Sequence, residues 1–153
     1  MSSFLKTELF DESNVLKPET NIVLEIFVAD DSYNSVEEEF YPNLLQIQKD
    51  EHFMRMAMKQ AEMAATVGEV PVGAVAVKDG QVVAKAHNQV ETLKDATAHA
   101  EIILLTQCAA FLGDWRLNDF TVYVTKEPCA MCAGAMVNAR LGKLVFGVRD
   151  PKY

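Results

Sequence analysis

Two short segments, with a helix-length and a strand-length stretch between them, restrict this chain more than anything else in it. The first is Thr97-Ala98-His99-Ala100-Glu101 and the second Glu127-Pro128-Cys129-Ala130-Met131-Cys132. Together they supply one imidazole, two cysteines at C-x-x-C spacing and a carboxylate two positions after the histidine. An imidazole and two thiolates are three ligands for a zinc ion, with a fourth position left for water, and an open fourth position marks a catalytic rather than a structural site. For His99, Cys129 and Cys132 to meet, the fold must bring the starts of two successive helices to one sheet edge. Helix N-termini also favour thiolates, so both cysteines can bind a metal near neutral pH.

Hydrophobic periodicity supplies a frame that does this. Asp50 is placed to cap a helix over roughly residues 51–66, in which Phe53, Ala57, Gln60, Ala61 and Ala64 share a face. Met54, Met56, Met58 and Met63 fill in around them as core material. Gly68-Glu69 ends that helix. Residues 70–78 read as a strand, Asp79-Gly80 as a tight turn and residues 81–86 as the returning strand of an antiparallel hairpin. Its residues are small, as they must be if helices lie close across it, and Gly73 leaves room for a ligand to approach the backbone.

Glu91 to Asp95 reads as a loop, and Thr97 as the cap of a helix over roughly 98–112, with Cys108 among its core positions. A strand follows over 120–125, a helix from Cys129 to Leu141 and a strand over 144–148, parallel to its predecessor because the helix between them makes a right-handed crossover. The expected fold is α/β: a mixed sheet of at least four strands, with an antiparallel hairpin, parallel crossover strands and helices packed on the sheet.

The net charge of -8 is confined to one end. Residues 1–48 hold ten acidic side chains against Lys6 and Lys17, whereas residues 49–153 hold twelve of each sign. The body is therefore neutral, and long-range charge argues neither for nor against a polyanionic substrate. Residues 1–48 form an acidic N-terminal extension whose apolar run Asn21 to Val28 docks on the body or on a protein partner; the alternative is a disordered tail. No apolar run is long enough to cross a membrane and no basic leader precedes an apolar segment, so the expected location is cytoplasmic.

Glu101 is the candidate proton carrier. Two positions apart on a helix normally means opposite faces, but at the first turn His99 and Glu101 can line one cavity, with the carboxylate beside water and substrate. Two plainer readings stand beside catalytic zinc. A structural zinc site requires a fourth protein ligand, for which mid-helix Cys108 is poorly placed; a thiol redox pair leaves His99 and Glu101 without a role.

H-x-E followed by P-C-x-x-C is the signature of zinc deaminases acting on nucleobases. At these residues, and over the span from about Asp50 to Asp150, the chain resembles the bacterial tRNA-specific adenosine deaminases of the cytidine deaminase-like superfamily. Glu69-Val70-Pro71-Val72-Gly73-Ala74, Asn88, Trp115-Arg116-Leu117 and Val145-Phe146-Gly147-Val148-Arg149-Asp150 carry the same resemblance. It implies a three-layer cytidine deaminase-like fold and hydrolysis of the wobble adenosine in a tRNA anticodon loop to inosine, with release of ammonia. It also implies one zinc ion per chain and a homodimer. Residue by residue, it makes His99, Cys129 and Cys132 the zinc ligands and Glu101 the proton shuttle. Asn88 then hydrogen-bonds the flipped purine, and Val72 and Ala100 line the pocket around it. Without the resemblance, Asn88 reads equally well as a turn residue and Val72 and Ala100 as ordinary core.

The chain departs from the family pattern at two places. Lys126 stands where the family has leucine, so that a cation beside the pocket either touches a phosphate or disturbs packing. Family members continue past the position of Asp150 with a strand and a helix that contribute to RNA binding. The expectation is therefore a C-terminally truncated deaminase domain over 49–153, with the run 22–28 as the strand covering the open sheet edge. Two other functions remain beside the tRNA enzyme: deamination of a free nucleobase or nucleotide of the guanine or cytidine type, and an inactive deaminase-like interaction module.

Overall fold

The structure, a computed structural model, describes residues 25–28 and 40–151, with side chains from residue 45 onward. In chain order the elements are β1 (Glu25–Val28), α1 (Phe40–Thr66), β2 (Gly73–Lys78), β3 (Gln81–His87) and α2 (Val90–Leu93), then α3 (Ala100–Leu112), β4 (Phe120–Lys126), α4 (Ala130–Asn138) and β5 (Lys143–Val148). The strands form one five-stranded mixed sheet in the order β1-β5-β4-β2-β3. β2 runs antiparallel to both β3 and β4, while β4 and β5 are parallel, as the crossover through α4 requires. Of the apolar N-terminal run, residues 25–28 form β1, which pairs antiparallel with β5 from Glu25 opposite Phe146 to Val28 opposite Lys143. The other residues of the arm, up to 39, lie outside the described residues.

Helices cover both faces, giving the α/β sandwich expected of the sequence. Strand alternation decides which side chains go where. Val75, Val77, Tyr123 and Val145 point to the face covered by α1, where Met54 and Ala57 meet them. Ala74, Ala76, Val122, Val124 and Phe146 point to the other face, against Ala100, Leu104 and Cys108 of α3 and Met136 of α4. Both strands of the hairpin carry alanine, which keeps the helices close. Gly73 does so most strictly: a β-carbon there would collide with the Ala57 carbonyl and the Ala61 amide of α1. The space at Gly73 is thus taken by a helix backbone and not by a ligand. The tight turn falls at Asp79-Gly80, both with positive φ.

Three boundaries differ from expectation, each for a physical reason. α1 begins at Phe40, so Asp50 is mid-helix and caps nothing. It is instead 1% exposed and accepts hydrogen bonds from the Tyr123 hydroxyl (2.6 Å), Gln46 Nε2 (2.7 Å) and Lys143 Nζ (3.4 Å). Burial and the Asp50 carboxylate push the Tyr123 hydroxyl far above its ordinary pKa, so it remains a donor. Thr97 caps no helix either; its amide and hydroxyl both bond Asp95 Oδ1 at 2.8 Å in a local turn, and His99 is the N-cap residue of α3. Overlapping the expected 91–95 loop, α2 makes a single helical turn, and its Glu91 and Thr92 amides find a distant acceptor, Glu69.

Candidate active site

Sheet topology gathers the site. The N-terminal end of β2 and the C-terminal ends of β3, β4 and β5 lie at one edge, since Gly73 pairs with His87, Ala74 with Val124 and Lys126 with Val148. The chain leaves β3 through α2 into α3, and leaves β4 directly into α4, so both helices begin at that edge. His99 and Cys129 are their N-cap residues, in extended conformation (ψ 151° and 168°), which turns both side chains off the helix axes. Cys132 sits one turn into α4 and is fully buried.

The three expected ligands converge. His99 Nδ1 lies 3.6 Å from Cys129 Sγ and 3.5 Å from Cys132 Sγ, and the three donor atoms lie within 4.8 Å of one another. The three side chains form a candidate metal-binding cluster. Burial and the nearby Glu101 carboxylate push the Cys132 thiol far up. Cys108, also buried, is held by α3 in the core; burial raises its thiol to about 11, which makes it an inert packing residue.

Glu101 is 4% exposed and faces the same cavity as His99, because both lie at the first turn of α3. Burial lifts its carboxyl above the ordinary range, although its own backbone amide, His99, Cys132 and Lys126 pull the other way. A carboxyl raised in this way holds its proton more readily than an exposed one, as a group that must both take up and return a proton requires. The cavity has a volume of about 320 Å³, with Val70, Val72 and Val90 on its apolar side and Asn88, Glu101 and Lys126 on its polar side. Asn88 and Val72 are therefore wall residues. Ala100, the first residue of α3, is fully buried in the core and does not line the cavity.

Three wall residues were not assigned a site role from the sequence, because their partners are remote in the chain. Glu69, 5% exposed, accepts hydrogen bonds from Asn88 Nδ2 (3.0 Å) and from the backbone amides of Glu91 (3.2 Å) and Thr92 (2.6 Å). Burial alone would raise its carboxyl, but bonds from Thr92, Glu91 and Asn88 outweigh it and hold the group below the usual carboxylate range. Asp150 and Glu127 form the opposite wall: Lys126 Nζ pairs with Asp150 Oδ2 at 2.8 Å, and Glu127 accepts from the Asp150 amide at 3.0 Å. The substitution at Lys126 thus places a cation on the wall and ties it to the end of β5.

Residues 48–153 match the MafB19-like deaminase family. The chain is 50% identical over 104 residues to a tRNA-specific adenosine deaminase of Bacillus subtilis, covering 68% of this chain and 65% of that one. It is 45% identical over 103 residues to one of Aquifex aeolicus, covering 67% and 68% respectively. The match thus spans about two thirds of the length of these bacterial relatives. Among solved structures, one from studies of A-to-I editing by tRNA:A34 deaminases superposes with a TM-score of 0.65 at 46% identity, over 67% of this chain and 78% of that one. A guanine deaminase from Bacillus subtilis superposes with a TM-score of 0.63 at 37% identity, over 65% and 64%.

Proposed function

Because the chain belongs to the MafB19-like deaminase family, we propose that it is a zinc-dependent hydrolase that converts the wobble adenosine of a tRNA anticodon loop to inosine and releases ammonia. The observation that carries this reading is a buried carboxyl, Glu101, opening on the same cavity as a His-Cys-Cys donor set. The donor set fits zinc: a tetrahedral ion with Zn–N of about 2.0 Å and Zn–S of about 2.3 Å needs N···S separations of about 3.5 Å, against the observed 3.5 and 3.6 Å. His99, Cys129 and Cys132 would hold one ion per chain. Such an ion supplies the Lewis acidity that makes water a competent nucleophile near neutral pH.

The chain's own residues supply the proton transfers and the positioning. Glu101 takes a proton from the attacking water as its oxygen bonds to C6 of the adenine, and delivers it to the adjacent ring nitrogen. It then moves the remaining proton of the C6 hydroxyl to the exocyclic amine, which leaves as ammonia as the C6–N6 bond breaks and the C6 carbonyl forms. Asn88 hydrogen-bonds the base, and Val72 and Val90 exclude water beside it. A nucleotide in an anticodon loop is unpaired and cheap to extract into such a pocket, which favours a loop adenosine over one in a duplex. A homodimer belongs to the same reading and is supported by the exposed apolar groove between α3 and α4, where Ile102, Trp115 and Ala135 lie.

A second reading, deamination of free guanine, is favoured by the likeness to the guanine deaminase structure. The deciding experiment is single-turnover reaction of zinc-assayed protein with an anticodon stem-loop carrying adenosine at the wobble position, beside free guanine, cytidine and adenosine. Inosine in the stem-loop supports the tRNA reading. Turnover of guanine alone overturns it in favour of the second, and zinc-loaded folded protein without any turnover overturns both.

A further inference from the structure

An asparagine side chain fits almost equally well in two orientations, which exchange an acceptor for a donor at the same point in space. Whichever faces a ligand decides what that ligand must offer. Asn88 is buried just past the end of β3, and among the described residues its side chain makes one hydrogen bond, donated by Nδ2 to Glu69 Oε2 at 3.0 Å. No buried side-chain polar atom of those residues lacks a partner, so Asn88 Oδ1, with no such bond, is the atom left open to the cavity that Asn88 lines. Glu69 is ionised under the hydrogen bonds it accepts, and an ionised carboxylate can only accept. It therefore permits one orientation of Asn88 and forbids the other.

We propose that Glu69 is a positioning residue for substrate recognition: it turns Asn88 so that Oδ1 faces the cavity and reads a donor on the bound nucleoside, which on adenosine is the exocyclic amine or a ribose hydroxyl, since the ring nitrogens only accept. The same carboxylate bonds the amides of Glu91 and Thr92, so the turn of α2 and the amide of Asn88 are fixed by one group. The wall of the cavity and the reader set into it thereby move together. This inference rests on the deaminase reading of the cavity and adds to it the origin of its hydrogen-bond polarity.

The test is Glu69→Gln. Glutamine has the same shape, but its amide can donate to Oδ1 as readily as it accepts from Nδ2, so Asn88 loses its orientation. In single-turnover deamination by zinc-loaded protein, Glu69→Gln should lower kcat/KM about tenfold, mostly through KM. In an Asn88→Ala background it should cause little further loss, because the residue through which it acts is gone. An independent readout is the Asn88 side-chain amide in 15N-labelled protein. One of its protons should be shifted downfield and slow to exchange in the unsubstituted chain, and neither should be in Glu69→Gln. Glu69→Asp, which keeps an acceptor-only group, should recover the protected amide, and serves in its place if Glu69→Gln folds poorly.

An equal kcat/KM loss with and without Asn88, or an amide spectrum indifferent to Glu69, would overturn the proposal and leave Glu69 as a cap for α2. A chain active only on guanine would refute the tRNA reading, and the same cycle would then be run with guanine. A chain active on nothing would refute the catalytic reading, and the amide spectrum would still decide the orientation of Asn88.

Discussion

On the α1 face of the sheet Asp50 is 1% exposed; on the α3 and α4 face Glu101 is 4% exposed. The two acids are nearly equal in burial and opposite in partnership. Asp50 has a hydroxyl, an amide and an ammonium group bonded to it from β4, α1 and β5, which ties three elements together. Glu101 draws on its own backbone amide, the Cys132 thiol and the charges of His99 and Lys126, and burial still prevails, so its carboxyl titrates above the usual range. A buried carboxylate whose lone pairs are taken up by donors belongs to the framework, and one left short of donors beside an open cavity is available for chemistry. Burial alone distinguishes nothing here.

The contrast can be broken most sharply at Glu101. Glu101→Gln should reduce single-turnover deamination by at least about a thousandfold, the upper part of the range for general acid-base groups, with zinc stoichiometry by mass spectrometry unchanged. Activity near that of the unsubstituted chain would remove Glu101 from the chemistry. Cys129→Ala should lose both the metal and the activity, together with part of the melting temperature, because the site links the starts of α3 and α4. Full zinc occupancy after that change would refute the ligand assignment.

On the α1 face the expected effects are on stability. Asp50→Ala leaves the Tyr123 hydroxyl and Lys143 without their acceptor and should destabilise the fold by about 3 kcal/mol in urea unfolding, with activity per folded molecule preserved. A comparable loss of activity at full folding would dissolve the distinction between the faces. Gly73→Ala forces α1 away from β2 and should cost about 1–3 kcal/mol, seen as a lower denaturation midpoint. The smallest effect is in pH dependence. The Glu69 carboxyl is depressed on folding, so its contribution is complete above the ordinary glutamate value, about 4.3, and is lost as pH falls through its lower folded value. Glu69→Gln should flatten the decline of melting temperature below pH 4.3, and an unchanged slope would show that Glu69 does not drive it.

Much of this was legible in the sequence, where partners lie within one periodic stretch or are announced by rare residue types. The hairpin around Asp79-Gly80, the parallel step through α4, and the convergence of His99, Cys129 and Cys132 follow from strand alternation, a turn dipeptide and ligand spacing. Asp50 was misread for the opposite reason. An acid ahead of an apolar stripe is a good cap by local rules, and nothing local reveals that the helix began ten residues earlier or that Tyr123 and Lys143 lie beneath. Glu69 escaped in the same way, because Asn88, Glu91 and Thr92 lie about twenty residues along and meet it only when β2 and β3 have paired.

The sequence by itself determined the inventory: which atoms can hold a metal, which carboxyl stands beside them, and the periodicities that place them at the starts of two helices. Tertiary structure alone decided the environment of each acid, because a carboxyl's pKa depends on the donors and water that reach it, and those are set by contacts between distant segments. Asp50, Glu69 and Glu101 are the same chemical group in the sequence. In the folded chain one holds the sheet to α1, one bonds a wall of the cavity together, and one is buried beside the cavity with its carboxyl raised.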